Sequence, residues 1–133
     1  EEFPQIFELL LQRNIKIGII TNGADANQMR KIKQLGLEKW IAPENMLVSE
    51  GAGVSKPSKE IFEAMENQLA FTKEEAYYVG DNFDNDVVGA TAAGWKTIWV
   101  NFRKHTAKNP EIAATYVVGK PSDLLKLMDQ LTQ

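Results

Sequence analysis

Tyr77-Tyr78-Val79-Gly80-Asp81-Asn82-Phe83-Asp84-Asn85-Asp86 is an apolar run that ends in a glycine followed by three carboxylates. A short buried strand of this kind delivers hard oxygen ligands to its carboxyl end. Open α/β sheets bind their ligands at that end, and Mg2+ prefers such ligands. Two companions lie upstream: Ile19-Ile20-Thr21-Asn22-Gly23, a second strand ending in a hydroxyl, and Ser55-Lys56-Pro57, a lysine in a turn. Hydroxyl, lysine and acid cluster, in that order, suit a phosphate-and-magnesium site.

Outward from these segments the chain alternates. Pro4 to Arg13 reads as a helix with Phe7, Leu10 and Leu11 on one face and Asn14 as a left-handed stop. Ile15 to Ile20 is nearly all apolar and β-branched, the pattern of a strand buried on both faces. A helix over residues 24–35 ends at Gly36, Met46 to Ser49 is a short strand, and Glu50 to Ser55 is a loop. Ser58 caps a helix that carries Ile61, Phe62, Met65 and Leu69 inward. Thr72 to Glu75 is a capping box. Asp86 to Ala93 reads as a helix stopped by Gly94, and strands follow at Thr97–Val100 and Thr115–Val118. Ser122 caps a final amphipathic helix with Leu124, Leu125, Leu127, Met128 and Leu131. This alternation predicts an α/β fold with a mostly parallel, Rossmann-like sheet and helices on both faces, in three layers. No repeat or linker interrupts it, so residues 1–133 read as a single domain.

With 133 residues, 44% hydrophobic and 25% charged, the chain is sized for one core. A net charge of −3 and a pI near 5.2 speak against a nucleic-acid surface. No apolar run approaches the roughly 18 residues of a membrane span. The absence of cysteine excludes disulfides and thiolate metal sites. A soluble cytoplasmic domain with neither nucleic-acid nor membrane partners is the expectation.

Each candidate residue has a plainer reading beside the chemical one. Asp81, the first polar side chain past its strand, projects into the cleft, and Asp86 can turn back to the same point. Asp84 and Asp86 can equally cap the helix that follows. Thr21-Asn22-Gly23 can grip phosphate oxygens with a hydroxyl and successive N–H groups, yet Asn-Gly is also a common turn. Lys56 can neutralise a phosphoryl group, yet a lone loop lysine is ordinarily solvated. His105, the only histidine, reads as a surface residue in the polar loop Arg103 to Pro110, and Trp40, Trp95 and Trp99 read as packing residues.

Together these residues resemble the haloacid dehalogenase-like (HAD) superfamily, specifically its subfamily I phosphohydrolases. Ile17 to Gly23 is similar to the family's second motif, whose Thr or Ser binds the phosphoryl group. Val54 to Phe62 is similar to the third, whose lysine steadies nucleophile and phosphoryl charge. Tyr78 to Ala90, continuing to Trp95, is similar to the fourth. The resemblance implies Asp81 as a direct Mg2+ ligand and Asp86 as the supporting acid. Thr21 and Lys56 become catalytic residues, with Thr21, Asn22, Gly23 and Lys56 binding a small phosphorylated substrate. It also implies phosphoester hydrolysis through an aspartyl-phosphate.

One departure is severe. The family's first motif, an Asp-x-Asp pair at the end of the first strand, supplies the nucleophile, and no such strand precedes Thr21. In subfamily I the cap lies between the first and second motifs, so the chain reads as the C-terminal part of a core domain without nucleophile or cap. That leaves a slot in mid-sheet between Ile15–Ile20 and Tyr77–Val79. Unpaired buried backbone groups cost about 1–3 kcal/mol each, so the flanking strands close up, another chain fills the slot, or a further segment does. Self-association or pairing with an N-terminal segment is expected there, and the isolated chain is expected to be inactive. The substrate is not specified, because the cap would choose it. A non-catalytic HAD-like module that binds phosphate and Mg2+, or serves as a scaffold, is the alternative. A signalling receiver domain fits less well, since its acids precede its lysine.

Overall fold

The computed structural model describes residues 2–107 and 111–133. Helix α1, Glu2–Gln12, ends at Asn14, whose φ of 59° is the expected left-handed stop. Strand β1 is Ile19–Thr21, shorter than the run from Ile15 suggested, and Ile15 is 39% exposed. The reason lies in its partner: β2, Met46–Val48, is three residues long, so the ladder spans only Ile19↔Met46 to Thr21↔Val48. An apolar run becomes a strand only where another strand accepts its hydrogen bonds.

Helix α2, Asp25–Leu35, lies between these strands and closes on Gly36 at φ 72°. The loop expected after β2 contains one helical turn, α3, Ser49–Ala52, which ends at Gly53. Helix α4, Lys59–Leu69, begins as expected with Ser58 accepting from the Glu60 N–H. Ile61, Phe62, Met65 and Leu69 are buried. The Thr72–Glu75 capping box opens a short turn before β3, Tyr77–Gly80. The next helix starts earlier than the sequence suggested, as a π turn over Phe83–Val88 leading into α5, Gly89–Ala92. Asn82, not Asp84 or Asp86, is its cap, accepting from the Asn85 N–H at 3.0 Å. Strands β4, Lys96–Val100, and β5, Tyr116–Val118, follow. Helix α6, Pro121–Leu131, starts one residue before the expected Ser122 cap, with Pro121 in its first turn and no side-chain cap. Proline suits that position because its missing N–H has no helical partner there. In the polar loop read from Arg103 to Pro110, residues 108–110 lie outside the described residues.

Over the described residues all pairing is parallel, in two sheets of order β2-β1 and β3-β4-β5. Among the described residues no ladder joins β1 to β3, which is the interruption expected between these two strands. Helices cover both faces. Ile20 and Tyr78 pack with Ile61, Phe62 and Ala90 of α4 and α5. Ile98, Val100 and Val118 pack on Ile6, Leu124 and Met128 of α1 and α6. A third cluster sets Ile32 of α2 against Met46. Among the described residues no helix is long and apolar enough to cross a membrane.

Candidate active site

The carboxyl ends of β1 and β3 carry the residues singled out from sequence, with the Lys56 turn beside them. Lys56 and Asp86 form an ion pair, Nζ to Oδ1 2.6 Å, with side chains only 12% and 6% exposed. A charge pair this sheltered needs further hydrogen bonds to offset desolvation, and both partners have them. The Asp86 Oδ2 accepts from the Asn82 N–H at 3.0 Å. The Lys56 ammonium donates a second bond to the Tyr78 hydroxyl at 3.1 Å, and that hydroxyl donates to the Ile20 carbonyl at 2.9 Å. Burial would lower the Lys56 pKa, but Tyr78 and Asp86 outweigh it and the net direction is upward. Burial pushes the Tyr78 hydroxyl up to about 12 despite the ammonium beside it.

Gly80 makes the Asp86 position possible. A Cβ there would lie 2.5 Å from both Cβ and Cγ of Asp86, far inside contact distance, so the carboxylate sits where only glycine leaves room. Asp81 follows as an exposed carboxylate, and its carbonyl accepts from Trp99 Nε1 at 3.0 Å. Trp99, read as a packing residue, is therefore also a tether.

The Thr21–Gly23 turn is held from two sides. The Thr21 hydroxyl donates to Gln28 Oε1 at 2.9 Å, and the Gly23 N–H donates to Ser49 Oγ at 2.8 Å. The Asn22 amide grips the main chain of Lys56: Oδ1 accepts from its N–H at 2.9 Å and Nδ2 donates to its carbonyl at 3.0 Å. Asn22 thus fastens the lysine turn to the end of β1.

Sequence reasoning passed over Tyr78, Gln28 and Ser49. Tyr78 left one usable signal: strand alternation sets it on the covered face, and a buried phenol needs a partner for its hydroxyl. His105 is exposed, as expected, and its main-chain N–H and carbonyl bond Asn101. A cavity of about 630 Å3 opens beside Asp81, lined by Phe83, Trp99, Asn101, Arg103 and His105 among others.

Among the described residues no three acidic or imidazole side chains gather to hold a metal by themselves. Mg2+ does not need three, because it usually keeps waters and substrate phosphate beside one or two carboxylates. Asp81 is exposed and chemically suited to that habit, while each Asp86 oxygen, already accepting from Lys56 or the Asn82 N–H, keeps a lone pair that such an ion could use. Chemically the arrangement places a cation, hard oxygen ligands and a hydroxyl-bearing turn at neighbouring strand ends, as phosphoryl transfer requires.

A family profile described as haloacid dehalogenase-like hydrolase matches residues 1–100. The glyceraldehyde 3-phosphate phosphatase of Methanopyrus kandleri is 29% identical over 98% of this chain and 58% of its own length. The pyrimidine 5'-nucleotidase YjjG of Escherichia coli is 36% identical over 89% of this chain and 52% of its own. Among solved structures, YfnB from Bacillus subtilis, described as a HAD-hydrolase and bound to magnesium, superposes with a TM-score of 0.82 at 29% identity. It covers 94% of this chain and 54% of that one. The chain therefore spans little more than half the length of these relatives.

Proposed function

The chain belongs to the haloacid dehalogenase-like hydrolase family, and from that premise we propose that it is the C-terminal part of the core of a Mg2+-dependent phosphatase. Its substrate in this reading is a small phosphorylated metabolite. The observation that carries it is the sheltered Lys56–Asp86 pair at 2.6 Å, set where β1 and β3 end. A fold gains nothing certain in stability from such a pair, whereas a phosphoryl site needs a fixed cation. The relatives named for glyceraldehyde 3-phosphate and pyrimidine 5'-nucleotides support a small phosphorylated substrate.

In this mechanism the Thr21–Gly23 turn receives phosphoryl oxygens, the Thr21 hydroxyl swinging from Gln28 by rotation about one bond. Lys56 balances their charge, and Asp81 and Asp86 would hold Mg2+. The bound ion supplies positive charge beside those oxygens as the transition state forms. A carboxylate attacks phosphorus, the bond to the leaving alcohol breaks, and water then cleaves the acyl phosphate to release inorganic phosphate. The attacking carboxylate belongs on a strand between β1 and β3, supplied by a segment outside these 133 residues. Pairing with that segment, or with a second copy, would also satisfy the open strand edges.

The test is phosphate release from p-nitrophenyl phosphate after metal removal and Mg2+ reloading. The purified chain is expected to show no turnover. Joined to an upstream segment that bears an Asp-x-Asp strand, it is expected to hydrolyse the ester, and Lys56→Met is expected to abolish that activity. Turnover by the chain alone, or none after joining, overturns the reading.

A further inference from the structure

Tyr78 entered the sequence reading only as part of an apolar strand, yet its hydroxyl is the neutral group on which the site converges. It accepts from the Lys56 ammonium at 3.1 Å and donates to the Ile20 carbonyl at 2.9 Å. These directions follow from chemistry: an ammonium only donates and a carbonyl only accepts, so the phenol proton must go to Ile20. The ring cannot swing freely. Phe62 meets it edge-on with centroids 5.2 Å apart, and Trp95 lies at 6.2 Å.

Two of the three ammonium protons are thereby committed, one to Asp86 Oδ1 and one to Tyr78, in a side chain only 12% exposed. One N–H remains. Ile20 immediately precedes Thr21, and no ladder joins β1 to β3 among the described residues. A single hydroxyl therefore connects the lysine, the strand that presents Thr21 and the strand that presents Asp81.

We propose that Tyr78 is a positioning residue: its hydroxyl fixes the rotation of the Lys56 ammonium, so that the remaining N–H faces an anion held at Thr21. The anion's identity as phosphate rests on the reading given above, whereas the Tyr78–Lys56 coupling does not. Asp86 alone would hold the ammonium less firmly, because breaking one bond would then release rotation about the Cε–Nζ bond, whereas with Tyr78 two bonds must break together.

Tyr78→Phe keeps the ring and removes the oxygen. In the purified chain, NMR of the Lys56 ammonium is expected to show slow exchange with water that becomes about fivefold faster in Tyr78→Phe. Calorimetry with inorganic phosphate and Mg2+ is expected to show about tenfold weaker binding in Tyr78→Phe, the worth of one charge-assisted hydrogen bond, and abolition in Lys56→Met. The wild type also provides a test without any variant: a nuclear Overhauser contact between the Tyr78 hydroxyl and the Lys56 ammonium. Absence of that contact, or ammonium exchange unchanged in Tyr78→Phe, overturns the coupling. Phosphate binding intact in Tyr78→Phe but lost in Lys56→Met overturns the positioning role and leaves the phosphoryl site standing. Phosphate binding absent from the wild type, or unaffected by Lys56→Met, removes the phosphoryl site and the inference with it.

Discussion

Strands β1 and β4 are both short, apolar and parallel, yet their burial differs. Four of the five residues of β4 are buried, Ile98 completely, whereas β1 buries only Ile20. Composition does not separate them. Among the described residues β4 has a ladder on each side, β3 on one and β5 on the other, while β1 has β2 alone. β3 resembles β1, with Val79 41% exposed. The candidate site is thus displayed from two strands that each keep an open edge, and the strand paired on both sides serves as backing. Trp99 of β4, holding the Asp81 carbonyl, extends the β3–β4 ladder into the site.

The largest effect should come from the residue beneath both halves. Phe62 is fully buried in the cluster that contains Ile20 of β1 and Tyr78 of β3. Phe62→Ala should cost about 3–5 kcal/mol in urea unfolding, and β1 and β4 amides should lose hydrogen-exchange protection together. Loss confined to β1 would mean that the two sheets unfold as separate units. Next comes the ion pair: Lys56→Met strands a buried carboxylate and should cost about 3 kcal/mol, while Lys56→Met with Asp86→Leu should recover most of it. Equal losses in single and double variants would show that packing, not charge, dominates there.

A smaller effect separates the open-edged strands from the backing strand by pH. The folded state holds the Tyr78 proton more tightly than the unfolded chain, with the pKa raised from 10.0 to about 12. Its contribution is complete below pH 10 and is lost as pH rises through 12, amounting to roughly 2–3 kcal/mol. Lys56, also raised, works in the same direction. Tyr78→Phe should flatten the alkaline decline seen by denaturant titration between pH 10 and 12, and an unchanged slope would contradict this. The smallest effect lies far from the open edges. The Arg13–Asp129 bridge at 2.7 Å joins the residue just past α1 to α6, with side chains 30% and 48% exposed, and Asp129→Ala should cost no more than about 1 kcal/mol.

Local rules made much of the fold legible. Gly36 ending α2, Ser58 opening α4 and the Thr72–Glu75 box each depend on residues within a few positions. The length of β1 was not legible, because it is set by the three-residue partner strand β2, whose paired residues lie 27 positions further along the chain. The π turn at Phe83 turned on Asn82 taking a cap that Asp84 and Asp86 also offered, and the Pro121 start on a proline suited to a first turn that has no side-chain cap. Within the site, the order of Thr21, Lys56 and Asp81 announced itself through residue types. Tyr78 did not, because its partners lie 22 and 58 positions away and nothing in its own segment refers to them.

The Asn22 grip on Lys56 also bears on how the molecule ages. An asparagine before glycine deamidates when the following main-chain nitrogen attacks its side-chain amide carbon. Here that nitrogen is engaged with Ser49, and both polar atoms of the Asn22 amide are occupied by Lys56. The native fold should therefore shield this labile dipeptide, and the unfolded polymer should decay there first. Once formed, an aspartate at this position would set a carboxylate against the Lys56 carbonyl and hinder refolding. Peptide mapping of folded and urea-held samples after storage should find the acidic product only in the latter.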